Sequence, residues 1–380
     1  MKLLRKIQTA ARADPTELWA KIKPLRNALK QTNEADESKV NLRDNADMNE
    51  LVEKLFPKLE RNIPEGLIIA KEPILINDQE LETVEKMIRN KRYTGPDDIS
   101  FKIFNRALEF IPDIIRDIAR MSFYTTHIPD HCRLTRGTLI PKKASEKLRV
   151  VHVATPMAAY MELIALNRFQ HTLEKYNLFN PNQYAFRCGT GRIELVNRII
   201  TSIAKHRQAI RSQFGEYASA KHNQTSLIGL DIAGAFDNVG QDIIIEKLYE
   251  EMPNEPIRHW IKEFVINRRI RIQYKKLSSY SMEVNKGLPQ GSAPGPLLWN
   301  YAIEDIHRKI MINTKPIYQN TMILSFADDL TIVAHGIEHS ETQALLNQIQ
   351  QYIEGKGLEI NADKSEMITI TGPGSVEEGE

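Results

Sequence analysis

One pair of acids constrains this chain more than any other feature. In the stretch LSFADDLTIVA, Asp328 and Asp329 stand between two short apolar runs, 322–326 and 330–334. Each run has the length of a buried strand, and Ala327-Asp328-Asp329 has the length of a tight turn. A DD pair alone is usually a polar turn. Carboxylates held beside apolar strands, however, repel one another unless something neutralises them, and this frame points toward a bound cation.

A third acid fits the same scheme. The run 227–232, LIGLDI, reads as a buried strand with Asp231 near its tip. Asp231 lies 97 residues before Asp328, so only the fold can unite them. Hard divalent cations take oxygen ligands, commonly one or two carboxylates completed by substrate phosphates. Around these runs, helical spacing is read at 78–90, 101–121, 157–175, 191–207, 256–268 and 338–355. Strands are read at 138–143 and 148–153 about a basic turn, a hairpin at 269–284, and a last strand pair at 358–360 and 367–370. Helices and strands mix without a βα rhythm, so the expected class is α+β.

Charge is separated along the chain. The total over 380 residues is only +2, but residues 86–149 carry 14 Lys+Arg against 7 Asp+Glu. Residues 254–286 carry 8 against 3, whereas residues 321–380 carry 2 against 11. Such a distribution suits a protein that grips a polyanion in one region and holds cations in another. The apolar runs fall short of the roughly 18 residues of a membrane span, so no membrane is expected. Two cysteines cannot staple a chain of this size, and the basic start lacks a secretory signal, so a cytoplasmic or nuclear site is expected. His127, His131 and Cys132 lack a further partner at zinc-ligand spacing.

The segment FADDLTIVAHG resembles the catalytic C motif of reverse transcriptases. LDIAGAFDNV (230–239) resembles their A motif, KGLPQGSAPGPLLWNYAI (286–303) the B motif, and GLEINADKSEMITI (357–370) the D motif. NQYAFRCGTG (182–191) resembles the segment before motif A. TLIPKK and the strand around Arg149 resemble the two fingers motifs, and RNKRYTGPDDIS (89–100) resembles the segment ahead of them. The wording is closest to the polymerases of non-long-terminal-repeat (LINE-type) retrotransposons.

The resemblance implies a right-hand polymerase with fingers and a palm, the palm an antiparallel sheet backed by helices. The expected divisions are an N-terminal helical extension or linker over 1–85, fingers over 86–224 (the reverse transcriptase domain starting near 120), palm over 225–372 and an acidic tail over 373–380. It implies that Asp231 and Asp328 hold two Mg²⁺ ions, or Mn²⁺ in their place, with Asp329 and the Ile232 carbonyl in support. Lys364 is the expected general acid. Arg149, Phe236, Gln290, Gly291 and Lys142 are expected around the deoxynucleotide, with Phe236 as a steric gate against a 2′-hydroxyl. Arg268, Arg269, Arg271 and Lys275 are expected on the template–primer phosphates. The implied partners are an RNA template, a DNA or RNA primer and dNTPs, with an endonuclease domain outside this chain.

The departures are limited. Arg149 is followed by Val-Val-His where the family has Pro-Ile, and Pro294 and Trp299 occupy varied places of motif B. Primer grip and thumb are not seen, so a polymerase core without its thumb is expected. The competing expectations are a truncated or domesticated relative that binds RNA without polymerising, and a maturase or telomerase relative.

Overall fold

The computed structural model describes residues 44–56, 73–141, 148–214, 224–274, 277–306, 309–310 and 321–370. Lys142, Lys275 and the acidic tail therefore lie outside the described residues. Helix α1 (Asn45–Leu55) starts at Asp44, whose carboxylate accepts the Ala46 and Asp47 N–H groups. Helix α2 (Asp78–Ile88) opens with a reciprocal capping box between Asn77 and Glu80. Helices α3 (Phe101–Phe110) and α4 (Pro112–Tyr124) replace the single helix expected over 101–121. The break is at Ile111, because Pro112 has no N–H to donate and disfavours helical geometry in the residue before it.

A single turn, α5 (Asp130–Arg133), leads into β1 (Leu134–Pro141) and β2 (Leu148–Val153). Helix α6 (Pro156–Lys175) is capped by Thr155 and largely buried, and α7 (Arg192–Phe214) lies at the surface. There follow β3 (Thr225–Ile232), the short α8 (Ala235–Asn238), α9 (Gln241–Glu251) and α10 (Ile257–Ile266). Next come β4 (Arg269–Tyr274), β5 (Leu277–Ser278), β6 (Met282–Glu283) and α11 (Gly295–Ala302). The described chain closes with β7 (Thr321–Phe326), β8 (Asp329–His335), α12 (His339–Gly355) and β9 (Ile360–Ile370).

Two sheets organise these elements. One runs β2-β1-β4-β5, with β6 also on β4, and its β1–β4 pairing is parallel. The other runs β7-β8-β3-β9 and is antiparallel throughout, as expected of a palm. The 269–284 segment, expected within the palm span, contributes its strands to the first sheet. The expected strand pair at the end is one strand, β9, whose register on β3 shifts between Gly229 and Asp231. Glu366 faces Gly229 and Asn361 faces Asp231, so residues 362–365 bulge out of the ladder.

The large core joins the antiparallel sheet to α2, α6, α9, α10, α11 and α12. In it Trp260 stacks on Phe123 with ring centroids 4.9 Å apart; burying each such side chain stabilises the fold by about 2–3 kcal/mol. A smaller core lies under the first sheet, where Met48 and Val52 of α1 meet Leu139, Val150, Ile270 and Ile272. The division expected at 85/86 falls inside α2, whose Leu81, Val84 and Ile88 are fully buried. Glu80 pairs with Arg168 at 2.7 Å and Glu85 with Arg116 at 2.8 Å, tying that helix to its neighbours. Among the described residues, no helix is long and apolar enough to cross a membrane.

Candidate active site

Pairing of β3 with β8 unites the acids. Asp231 stands directly opposite Asp329, and Phe326 opposite Asp329 closes the β7–β8 turn around Ala327 and Asp328. Three carboxylates thus gather at one end of the antiparallel sheet. Like charges set opposite one another in a sheet destabilise it. Partial burial, together with Asp328 and Asp231, raises the Asp329 carboxyl above its usual range, while Arg192 and Lys364 oppose the shift. Asp231 Oδ2 accepts a hydrogen bond from Asn361 Nδ2 at 3.1 Å and has Lys364 Nζ at 3.8 Å. Asn361 faces Asp231 across the ladder, the bulge in β9 delivers Lys364, and Ser365 Oγ accepts the Asp231 N–H at 3.4 Å.

A cleft of about 350 Å³ opens over Asp231 and Asp328; Asp329 does not line it. Its wall includes Asp231, Asp328, Phe236, Gln290, Arg149 and Lys364, with Ile232 and Gly291 also lining it. Eight of the expected residues thus meet in one place. Phe236 is carried by α8 and stacks on Trp299 at 5.6 Å, while Phe186 approaches it edge-on at 6.5 Å. Gln290 Nε2 donates to Asp237 Oδ1 at 3.0 Å, which fixes the side-chain amide.

Gly291 explains itself differently from the expectation. It holds φ +109°, and a β-carbon there would lie 2.7 Å from the His152 carbonyl oxygen. The His152 N–H donates to the Gln290 carbonyl at 2.7 Å. The glycine is required because strand β2 presses against this loop. Beneath it, the carboxylate of the buried Glu162 accepts the Ala293 N–H at 3.0 Å. Burial pushes that carboxyl up to about 7, against the pull of the Ala293 N–H, Lys91 and Arg268.

The expected template–primer cations divide. Arg269 and Arg271 are exposed on β4, alternating with buried Ile270 and Ile272. Register puts them on the same face as Arg136 and Arg149. Arg268 does not belong with them. It is 5% exposed, and its guanidinium donates to the backbone carbonyls of Val265, Lys286 and Gly287. The expectation for Arg268 is therefore corrected: it is a buried tie between α10 and the loop before Gln290. The sequence held a sign of this, since 268 shares the parity of the apolar positions 270, 272 and 274.

Three site residues carried no expectation. Gln183 and Trp299 both hydrogen-bond Ala327, and Asn361 holds Asp231. No composition signal marks such amide and indole contacts, which depend on tertiary placement alone. Among the described residues, no group of three or more His, Cys, Asp and Glu forms a ready metal cage. A Mg²⁺ that takes one or two carboxylates and completes its shell with phosphates and water asks for less, and the acid cluster suits it.

Residues 140–377 match the family described as reverse transcriptase (RNA-dependent DNA polymerase), and the chain belongs to that family. The family normally uses divalent metal ions. Over 305 residues the chain is 25% identical to the Retrovirus-related Pol polyprotein from type-1 retrotransposable element R2 of Nasonia vitripennis, covering 79% of this chain and 27% of that protein. It is 22% identical over 308 residues to the RNA-directed DNA polymerase from mobile element jockey of Drosophila melanogaster, covering 76% and 31% respectively. The resemblance to polymerases of non-long-terminal-repeat retrotransposons is thereby borne out. The chain spans 27% to 31% of the length of these two relatives. A solved structure of apo telomerase from Candida Tropicalis, truncated from its C-terminal domain, aligns with TM-score 0.48 at 12% identity, covering 76% of this chain and 60% of that one.

Proposed function

We propose that this chain is the core of an RNA-directed DNA polymerase that extends a DNA or RNA primer along an RNA template, using dNTPs. The observation that carries the reading is a cleft lined by Asp231 and Asp328 and walled by Phe236, Gln290 and Arg149, with Asp329 opposite Asp231 on the neighbouring strand. The β7-β8-β3-β9 sheet and its helices act as the palm, and the β2-β1-β4-β5 sheet as part of the fingers. The work belongs in cytoplasm or nucleus, alongside an endonuclease.

Asp231 and Asp328 would hold two Mg²⁺ ions, or Mn²⁺, with the Ile232 carbonyl and Asp329 in support. When bound, such ions stabilise charge on the attacking and leaving oxygens of displacement at phosphorus. The chain's own side chains do the rest. Arg149 offers a fork to the triphosphate. Phe236, flanked by Trp299 and Phe186, sets a rigid ring against the sugar and leaves no room for a 2′-hydroxyl. Gln290, oriented by Asp237, lines the nucleotide's berth. Lys364, beside Asp231, is placed to return a proton to the departing pyrophosphate. Arg269 and Arg271 contact template–primer phosphates, without reading sequence.

Extension of a primed RNA template with Mg²⁺ tests this. Asp328→Asn should lower the rate by about a thousandfold or more, since charge stabilisation of several kcal/mol is at stake. Equal extension by parent and variant sinks the assignment.

A further inference from the structure

Ala327 holds φ +58°, the left-handed region that a β-carbon makes unfavourable. Three side-chain hydrogen bonds converge on this one residue. Gln183, 3% exposed, accepts the Ala327 N–H at 3.0 Å and donates to the Ala327 carbonyl at 3.2 Å. The same carbonyl receives Trp299 Nε1–H at 3.1 Å. Gln183 is itself fixed, because its Oε1 also accepts the Ala185 N–H at 3.0 Å.

The chain around Gln183 is anchored to the same strand end. Ser325 N–H donates to the Asn182 carbonyl at 2.8 Å, and Tyr184 N–H to the Ser325 carbonyl at 2.9 Å. Residues 182–184 thus run as a short parallel companion to β7. Trp299 is fully buried, and its ring also backs Phe236. One indole therefore touches both the turn that presents Asp328 and the aromatic ring that faces the sugar.

We propose that Gln183 and Trp299 are positioning residues that hold the Ala327–Asp328 turn in its left-handed form, and that Trp299 ties this turn to Phe236. The inference rests on the polymerase reading. A phenylalanine at 299 could stack on Phe236 but has no N–H for Ala327. Strained backbone conformations persist where the surroundings over-determine them, and a turn that aims a carboxylate is such a place.

Two conservative variants separate the contacts. Gln183→Met keeps the volume and removes the two amide bonds to Ala327 together with that from the Ala185 N–H; Trp299→Phe keeps a ring and removes only the N–H. In Gln183→Met, amide exchange at Ala327 should accelerate at least about tenfold, and kcat should fall about tenfold with little change in the dNTP KM. Adding Ala327→Gly should recover part of kcat, because glycine adopts this φ without help. Trp299→Phe should lower kcat a few-fold and leave dNTP/rNTP discrimination intact, whereas Trp299→Leu should lose both.

Unchanged exchange and unchanged kcat in Gln183→Met overturn the brace, and so does a loss that glycine does not relieve. If Gln183→Met does not fold, Trp299→Phe decides: parental kcat there overturns the tie. A parent chain that extends no primer refutes the polymerase reading instead, and exchange at Ala327 still tests the brace.

Discussion

The two sheets meet the cleft with opposite charge and opposite demands on geometry. On the antiparallel sheet three carboxylates crowd one strand end, and each is placed by strand register or by a two-residue turn. On the other sheet the arginines spread along one face, from Arg149 through Arg136 to Arg271 and Arg269. Phosphate contacts tolerate side-chain latitude, because they supply affinity without fixing a reacting atom. Displacement at phosphorus does not tolerate it, since an ångström of misplacement costs rate. The acids accordingly sit on backbone held by hydrogen bonds, and the exposed cations sit on long flexible stems.

Arg268 offers the sharpest way to break this comparison. It lies next to Arg269 in sequence yet behaves as part of the buried frame. Arg268→Ala should cost about 3 kcal/mol in urea denaturation, because several buried carbonyls lose their donor. Arg271→Ala should leave stability within about 0.5 kcal/mol and lower the slope of log RNA affinity against log salt by about 0.7–0.9. If Arg271→Ala leaves that slope alone, the exposed row is not a phosphate-contacting surface.

A smaller effect is expected at the sugar. Phe236→Ala should raise rNTP incorporation relative to dNTP by about a hundredfold, or roughly 2–3 kcal/mol of discrimination. Stability should move less than for a fully buried ring, because Phe236 is only partly covered. Competition assays with matched dNTP and rNTP read the ratio directly, and an unaltered ratio removes Phe236 from the gate.

What the sequence disclosed follows the same division. The acids were legible as carboxylates framed by apolar runs, whereas Phe236 and the Gln290-Gly291 turn were legible only through the resemblance of their segments to motifs A and B. The antiparallel strands β7 and β8 were legible as apolar runs about an acidic turn. The parallel pairing of β1 with β4 was not, since no local pattern names a partner some 130 residues away. Gln183 and Trp299 carried no mark of their role, because an amide or an indole earns one only from what it touches. The division at 85/86 coincides with the start of the basic segment 86–149. The apolar face of α2 (Leu81, Val84, Ile88) already pointed inward, and its burial in the large core is what composition could not supply.

The smallest expected effect concerns the loop that lies between the two sheets. Glu162 sits buried beneath Ala293, with its carboxyl raised to about 7 by burial. An unfolded glutamate titrates near 4.3, so the folded state binds the extra proton between about pH 4.3 and 7. Stability contributed by this group is thus greatest at low pH, falls as pH rises through that window, and is level above it. Glu162→Gln keeps an oxygen for the Ala293 N–H and has nothing to titrate. Relative to the parent, the variant should gain about 2 kcal/mol between pH 5 and pH 6.5. Urea midpoints of both chains at the two pH values measure the gap. A gap that does not widen with pH means that Glu162 keeps its charge in the folded state, held by Lys91 and Arg268 more strongly than burial opposes it.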